Sequence, residues 1–113
     1  VKYFKNVLLS VKVSFCNEIF EYCKEKKIDY NNVIENSCLD DRINKSHTSV
    51  PGPDGKYGFG GTCFPKDCSG LLYEFSKNNL ESYIIKSAIE RNNEKDRKEQ
   101  DWKLSKGRAV VKD

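Results

Sequence analysis

Apolar residues recur at steps of three and four over the first part of the chain, a spacing that predicts one long helix from about residue 2 to residue 26. The apolar stripe of this helix comprises Phe4, Leu8, Val11, Phe15, Ile19 and Tyr22 or Cys23. A narrower polar stripe lies beside it and comprises Lys2, Asn6, Ser10, Ser14 and Asn17. Because Lys2 and Asn6 are four positions apart, they lie one turn apart on the same face.

The same kind of pattern predicts a short second helix over "YNNVIENSC", which Asp29 can cap. A third helix is predicted over about 65–78, because the fixed φ angle of Pro65 suits a first helical position. A fourth helix is predicted to start near Leu80. The expected inner faces of these three helices are Val33, Ile34 and Cys38; Cys68, Leu72 and Phe75; and Ile84, Ile85, Ala88 and Ile89. The sequence thus predicts an all-α domain of about four helices.

The segment after the fourth helix, "ERNNEKDRKEQD", is polar on every side. It is predicted to be either a solvated extension of that helix or a frayed end. Trp102 is the large apolar residue of this region, and we expect it to pin the tail to the domain. The later "GRAVV" favours a short strand.

Composition limits what this domain can be. At 113 residues the chain has the size of one domain, and only 37% of its residues are hydrophobic. Its mean hydropathy is −0.73, so we expect its core to be completed by a second copy or by a neighbouring domain. The 20 basic and 17 acidic residues are scattered and give a net charge of +3. Since no block of Lys and Arg could follow a phosphate backbone, nucleic-acid binding is not predicted.

Targeting signals are absent from the printed sequence. No run of eighteen apolar residues and no charged-then-apolar leader is present, so we predict no membrane span and a cytoplasmic location. The five cysteines do not indicate a disulfide scaffold, and Cys16 and Cys23 have the spacing of small buried apolar residues. The chain begins inside a helical pattern without a capping residue, and we therefore expect it to be a piece of a longer protein.

Candidate chemistry is concentrated in a loop over about 44–62, where no periodicity is found. Five of the seven glycines and all three prolines lie between positions 51 and 65, and the run ends in "KYGFGGTCFPKD". Cys63 stands just before the third helix, where unpaired N–H groups and the helix dipole favour a thiolate. Asp67 follows in the first turn and could hold a water molecule near the sulfur. Gly58, Gly60 and Gly61 would allow backbone N–H groups to reach an anionic or hydroxyl-rich ligand.

Each of these features also has a plain structural interpretation. A cysteine in a glycine-rich loop is often structural or incidental, and an aspartate early in a helix is usually a cap. Lys2 and Asn6 could simply lie on a solvated face.

Other chemistries fit the sequence less well. His47, Cys63 and Cys68 would make a poor zinc site, because no second CxxC or HxxxH partner is present. A Cys–His protease pair is formally possible, but "SHTSV" resembles no protease signature. Gly58-x-Gly60 does not follow a predicted strand, so the chain is predicted to have no dinucleotide site of its own and no metal site.

Three stretches carry a resemblance to a known family. "KNVLLSVKVSFCNE", "DDRI" and "GFGGTCFPKD" resemble the central, dimerisation domain of the UDP-glucose/GDP-mannose dehydrogenase family, most closely its UDP-glucose 6-dehydrogenases. The resemblance extends from Val1 to at least Arg91, and we expect residues 1–113 to form this one domain. It implies that an N-terminal Rossmann domain for NAD belongs to the complete enzyme and is absent here. The implied reaction is the two-step, NAD-dependent oxidation of the C6 alcohol of a nucleotide sugar to a carboxylate.

The resemblance also implies a role for individual residues. Cys63 matches the family nucleophile, Lys2 and Asn6 match the groups that stabilise the oxyanion at C6, and Asp67 matches the aspartate associated with the catalytic water. The loop Asp54–Gly60 matches the segment that wraps the substrate, with the candidate binding residues Tyr57, Gly58, Phe59 and Gly60. Arg42 matches an arginine that reaches the substrate of the neighbouring subunit, because the long first helix forms the homodimer interface in the family.

Departures from the family pattern leave two interpretations open. The loop "NKSHTSVPGPDGKY" is longer than in common bacterial members, and no residue here accepts a hydride. The chain is either the catalytic-cysteine domain of a UDP-glucose 6-dehydrogenase, inactive by itself, or a non-catalytic homodimeric remnant. The sequence does not separate UDP-glucose from GDP-mannose or from an N-acetylated UDP-sugar.

Overall fold

The computed structural model describes residues 1–104 and contains four α-helices in that range. They are α1 (Lys2–Lys26), α2 (Tyr30–Ser37), α3 (Cys63–Lys77) and α4 (Ile84–Arg91). A π-helical turn (Asn92–Asp96) continues α4 directly, and a 3₁₀ turn (Asp101–Leu104) follows. The predicted all-α class is confirmed, since the described residues include no strand. The possible strand at "GRAVV" lies outside the described residues.

The long helix α1 is the axis of the fold. Its 25 residues, at about 1.5 Å each, span about 37 Å, close to the molecule's longest dimension of 40 Å. The helices α2, α3 and α4 all pack against it. It ends because Lys27 adopts a left-handed conformation, which lets the Ile28 N–H donate to the Cys23 carbonyl over 2.8 Å.

The helix α3 starts two residues earlier than predicted, whereas its end at Lys77 agrees with the prediction of about 78. The helix begins at Cys63, so Pro65 occupies its third position, where a backbone N–H has no intrahelical acceptor in any case. It ends with Asn79 in the left-handed conformation and with the Leu80 N–H bonded to the Phe75 carbonyl over 2.8 Å. Leu80 closes α3 in this way, and α4 therefore starts at Ile84 rather than at Leu80.

The second helix was predicted correctly. Asp29 is its N-cap and accepts hydrogen bonds from the backbone N–H groups of Asn31 and Asn32. Tyr30 is the buried residue of this helix, and its hydroxyl donates to the Thr48 carbonyl over 2.6 Å. The 44–62 region contains no helix, as predicted.

On α1, much of the apolar stripe is exposed and part of the polar stripe is buried, the reverse of the usual arrangement. Four apolar stripe residues are between 54% and 71% exposed: Phe4, Leu8, Phe15 and Tyr22. The polar Ser10, Ser14 and Asn17 are at most 5% exposed. Their side chains are satisfied by backbone groups: Ser10 donates to the Asn6 carbonyl and Ser14 to the Ala88 carbonyl. Small hydroxyl residues leave room for α3 and α4 to approach α1 closely.

The core consists of two separate clusters along α1. One contains Cys16, Cys23, Tyr30 and Val50. The other contains Val7, Phe59 and Cys68, with Phe64 and Leu71 packed against it. The second cluster includes Phe59 of the glycine loop (residues 56–62) and Phe64 from the start of α3, so it supports the candidate site. All five cysteines are free thiols.

The segment after α4 is not the solvated or frayed end that its composition predicted. Asn92 is fully buried, and Arg97 is 1% exposed. Trp102 is also buried, which confirms that it packs against the domain. The hydrophobic periodicity did not predict burial of Asn92 and Arg97, because both are polar and their burial depends on contacts with a distant loop. Among the described helices, none has the length together with the apolarity that a membrane span requires.

Candidate active site

Cys63 is the first residue of α3, at the end of the glycine loop. Gly61 has a φ of +78°, a conformation that favours glycine and that turns the chain into the helix. The Cys63 side chain is exposed, and its sulfur lies 3.9 Å from the Thr62 hydroxyl oxygen. The sulfur is therefore accessible to a ligand and not turned into the apolar interior.

Asp67 lies one turn after Cys63 on α3 and connects this helix to α1. Its Oδ2 accepts a hydrogen bond of 2.7 Å from the Asn6 side-chain amide, across 61 positions of sequence. Its Oδ1 is buried and has no hydrogen-bond partner within residues 1–104. Lys2, Lys66 and Asp67 share the lining of an open groove of about 560 Å³ between the two helices. The structure thus brings Lys2, Asn6 and Asp67 to one side of the molecule, beside the first turn of α3.

Cys68, the next residue along α3, behaves differently from Cys63. It is 1% exposed, and burial raises the pKa of its thiol, with the Asp67 charge acting in the same direction and a hydrogen bond with Ser10 opposing them. A buried, neutral thiol is a packing residue rather than a nucleophile. The two cysteines of "CFPKDC" are therefore distinct in accessibility.

A second cavity, of about 430 Å³, is lined by the glycine loop. The loop contributes Gly58, Phe59, Gly60 and Gly61 to its wall, and His47, Asp54, Phe64 and Arg97 also line it. The lining combines backbone groups, an aromatic ring and charged side chains. Such a mixture suits a small polar ligand.

Three side chains from other elements hold the loop backbone. Asn17 accepts a hydrogen bond of 3.1 Å from the Gly58 N–H. The Asn92 amide pairs with both backbone groups of Phe59, accepting from its N–H over 2.7 Å and donating to its carbonyl over 2.9 Å. Arg97 donates from Nε to the Tyr57 carbonyl over 2.9 Å. The loop is therefore fixed by hydrogen bonds that regular secondary structure would otherwise provide.

Close packing explains two of the loop glycines. A Cβ added at Gly58 would collide with the Asn92 side-chain oxygen and lie 2.8 Å from Asp96 Cβ. A Cβ added at Gly60 would collide with the Arg97 Nη1. These glycines admit the two anchoring side chains, which is a reason that the sequence pattern did not indicate.

Ion pairs add a second set of contacts between the loop and the tail. Arg97 pairs with Asp54 over 2.9 Å and with Asp101 over 3.5 Å, and Lys56 pairs with Asp101 over 2.6 Å. Burial opposes ionisation of Asp101, but the Lys56 and Arg97 charges outweigh it and lower the pKa of that carboxyl. The Asp101 hydrogen bond in turn raises the pKa of Lys56.

Arg42 and Tyr57 are not brought to the cavity. The Arg42 side chain is 88% exposed and pairs with the nearby Asp40 over 2.6 Å. The Tyr57 ring is half-exposed and packs near Phe20, at a centroid distance of 6.0 Å. Within one chain, Tyr57 contributes its backbone carbonyl to the loop while its side chain faces α1.

Asn92 and Arg97 are the residues at this site that sequence analysis missed, and Asn17 was recognised only as a polar stripe residue. Glycine loops need external donors and acceptors for their backbone, so such partners could be anticipated. Nothing in "ERNNEKDRKEQD" indicates which residues supply them.

The described residues do not fit a dinucleotide or a metal ion. Residues 1–104 contain no strand to precede a phosphate-binding turn, and Gly58-x-Gly60 follows an irregular loop. Within the same residues, no group of three or more His, Cys, Asp or Glu side chains could hold a metal ion. The single histidine, His47, bonds to Ser46 Oγ over 2.5 Å and packs near Phe64.

Comparison with known proteins gives the class of this helical domain. Residues 1–94 match the family model described as "UDP-glucose/GDP-mannose dehydrogenase family, central domain". The chain belongs to this family. No solved structure matches it significantly.

The chain is similar to full-length members of the family. It is 34% identical over 92 residues to a UDP-glucose 6-dehydrogenase of Campylobacter jejuni, covering 81% of this chain and 22% of that one. The identity is 35% over 95 residues to a UDP-glucose 6-dehydrogenase of Rickettsia bellii, covering 84% and 21%. It is 37% over 93 residues to a GDP-mannose 6-dehydrogenase of Azotobacter vinelandii, covering 81% and 20%. The chain thus spans about a fifth of the length of these relatives.

Proposed function

We propose that this chain is the central domain of a UDP-glucose 6-dehydrogenase and that it supplies the catalytic cysteine for oxidation of UDP-glucose to UDP-glucuronate. The observation that carries the proposal is the 2.7 Å hydrogen bond between Asn6 and Asp67. Two stretches 61 positions apart, each matched separately to family catalytic residues, meet beside the exposed Cys63. The similarity to two UDP-glucose 6-dehydrogenases favours UDP-glucose as the substrate.

Cys63 acts as the nucleophile in this proposal. Its thiolate adds to the C6 aldehyde of the half-oxidised sugar, so that a C–S bond forms and the carbonyl oxygen becomes an oxyanion. After the second oxidation the intermediate is a thioester. Attack by water then breaks the C–S bond, which releases the carboxylate and returns the thiolate. Covalent attachment retains the aldehyde between the two oxidations.

Lys2, Asn6 and Asp67 support these steps. A cation and an amide donor one turn apart on α1 are suited to stabilise the C6 oxyanion. Asp67 has one carboxylate oxygen committed to Asn6 and the other without a hydrogen-bond partner within residues 1–104, so the second oxygen retains acceptor capacity for the water of thioester hydrolysis. The cavity beside Gly58, Phe59 and Gly60 would receive the sugar nucleotide.

The homodimer forms part of the proposal. The exposed Phe4, Leu8, Phe15 and Tyr22 form a continuous apolar stripe on α1, and burial of such a stripe by a second copy would remove it from water. The exposed Arg42 is then free to reach the substrate of the partner. Tyr57 contributes to the substrate loop through its backbone.

NAD, when bound, supplies the hydride acceptor for both oxidations, but the described residues do not fit it. The cofactor would be held by a Rossmann domain outside this chain. We therefore expect no turnover from the 113-residue chain alone, and we place the complete enzyme in the cytoplasm. The alternative is a non-catalytic homodimeric remnant of the same family. An in-frame Rossmann-coding region directly upstream of Val1 would exclude this alternative.

Protection of Cys63 from alkylation tests the proposal. The purified chain is treated with iodoacetamide with and without millimolar UDP-glucose, and the label on each cysteine is quantified by peptide mass spectrometry. The half-buried Cys38 is the internal reference. We expect UDP-glucose to slow labelling of Cys63 but not of Cys38, and GDP-mannose to protect less. Equal labelling of Cys63 with and without both sugar nucleotides would contradict the proposed site.

A further inference from the structure

We propose that Asn92 and Arg97 are positioning residues that hold the glycine loop and, through it, set the position of Cys63. The inference rests on the proposed function only in its assignment of Cys63 as the nucleophile. The contacts that support it belong to this chain alone.

The loop needs external partners for its backbone. Between Lys56 and Cys63 the chain forms no regular secondary structure; Gly58 and Gly60 are half-buried, and Phe59 between them is buried. Phe59 is 4% exposed and packs into the apolar cluster with Val7 and Cys68. Burying its N–H and carbonyl without partners would be unfavourable, because each group would lose its hydrogen bond to water and gain none in return.

The Asn92 amide meets both needs of Phe59 at once. It is one of the few side-chain groups with a donor and an acceptor at adjacent positions, and it is fully buried. Its position follows from the π-helical turn that continues α4, because α4 packs against both α1 and α3. The loop is thereby tied to the same three helices that form the domain.

Arg97 holds the loop residues that come before Phe59. Its Nε donates to the Tyr57 carbonyl, and its Nη2 lies 3.4 Å from the Gly58 carbonyl oxygen and 2.9 Å from Asp54 Oδ2. The guanidinium is almost completely buried, so the flat fork fixes three loop residues without competition from water.

The anchor acts on Cys63 through the short segment between them. Only Gly60, Gly61 and Thr62 separate Phe59 from Cys63, and Gly61 turns the chain at a φ of +78°. Fixing Phe59 therefore fixes where α3 begins and keeps its first turn formed beneath the sulfur. Cys63 is the first residue of that turn, so the direction and the exposure of its side chain depend on the turn being formed.

The test compares Asn92→Ala and Arg97→Lys in the full 113-residue chain with two controls. Asn93→Ala changes the neighbouring, half-buried amide, and Tyr30→Phe removes a buried hydrogen bond in the other core cluster. Arg97→Lys keeps the charge opposite Asp54 but loses the fork, and it serves if Asn92→Ala does not fold. The readouts are hydrogen exchange of the Phe59 N–H and the ratio of Cys63 to Cys38 alkylation rates.

We expect Asn92→Ala to accelerate exchange of the Phe59 N–H about tenfold, because the variant lacks the side-chain oxygen that accepts from this N–H. The alkylation ratio should change at least about threefold in both variants, because the first turn of α3, which carries Cys63, is held less firmly. Neither control should change either quantity, although Tyr30→Phe lowers the melting temperature. An unchanged ratio in both variants, or an equal change in Tyr30→Phe, would overturn the inference. No sugar nucleotide is used, so failure of UDP-glucose protection would leave this result intact.

Discussion

The two faces of α1 show that apolar and buried are different properties in this domain. One face carries Phe4, Leu8 and Phe15, all more than half exposed, while the other carries Ser10 and Ser14, which are almost completely buried. The buried residues of α1 combine Val7, Cys16 and Cys23 with the short hydroxyl side chains of Ser10 and Ser14. These hydroxyl groups bond to nearby carbonyls and fit against α3 and α4 where larger side chains would not. The apolar face is left free for an interaction outside the described residues of a single chain.

The two faces of α1 therefore serve two different kinds of contact, one within the domain and one between chains in the proposed homodimer. The polar face determines the internal packing of the domain and, through Asn17, reaches the glycine loop. The apolar face has no internal role that matches its hydrophobicity, and we assign it to the proposed homodimer. Substitutions on the two faces should therefore affect different measurements.

The largest effect is expected from charges on the apolar face. We expect Leu8→Glu combined with Phe15→Glu to weaken self-association roughly a thousandfold or more, about 4 kcal/mol, because two carboxylates from each chain would be buried in an apolar interface. Analytical ultracentrifugation should show a mass near twice 13.0 kDa for the native chain and near 13.0 kDa for the variant. Leu39→Glu, at an exposed residue outside the stripe, is the control and should leave the mass unchanged. A native chain that is monomeric at high concentration would exclude this interface.

A bulky residue on the polar face should destabilise the domain rather than weaken its self-association. Ser10→Leu places a large side chain where the native residue has no exposed surface, and we expect it to lower the free energy of unfolding by about 3 kcal/mol. Urea titration followed by circular dichroism measures the change. Lys5→Leu introduces the same side chain at an exposed position of α1 and should change the free energy by less than about 0.5 kcal/mol. Equal effects of the two substitutions would show that the polar face is not packed.

The glycine loop tests whether the buried face extends beyond the helices. Gly58 combines a φ of +69° with close contacts to Asn92 and Asp96, whereas Gly55 has a φ of +77° and nothing within 4 Å of an added Cβ. We expect Gly58→Ala to lower the free energy of unfolding by about 2 kcal/mol and Gly55→Ala by about 1 kcal/mol. The difference, read from urea titrations, measures the packing of the loop on its anchors. No difference between the two variants would mean that the loop is not held against Asn92.

The sequence predicted the local parts of this fold well. The long apolar repeat placed α1 at 2–26, and the side chain of Asp29 marked the start of α2, because both signals depend on neighbours in sequence. The start of α4 was misplaced because Leu80 completes the capping of α3, a contact that competes with helix initiation. Local sequence patterns do not show whether Leu80 closes α3 or begins α4.

The candidate site was predictable only in part. Cys63, Asp67, Lys2 and Asn6 could be named from sequence, and the structure places Asn6 against Asp67; their chemical roles stay predictions. Asn92 and Arg97 could not be named, because a long-range hydrogen bond to a backbone group leaves no periodic trace in sequence. Burial of polar residues is the feature that sequence patterns represent least well.

The smallest effect concerns pH and the thiol that lies beneath Ser10. Burial raises the pKa of Cys68 above its ordinary value of 9.0, so the folded state favours the neutral thiol. The stability that this group contributes is complete below that value and is lost as pH rises through the higher pKa of the folded state. We therefore expect the free energy of unfolding to fall less steeply above pH 9 in Cys68→Ala than in the native chain. The two slopes against pH should differ by less than the uptake or release of one proton. Leu71→Ala, a truncation on the same helix, should lower the whole curve and leave its alkaline slope unchanged. Because Cys68 is buried against the polar face of α1, identical slopes in Cys68→Ala and the native chain would mean that this face admits water.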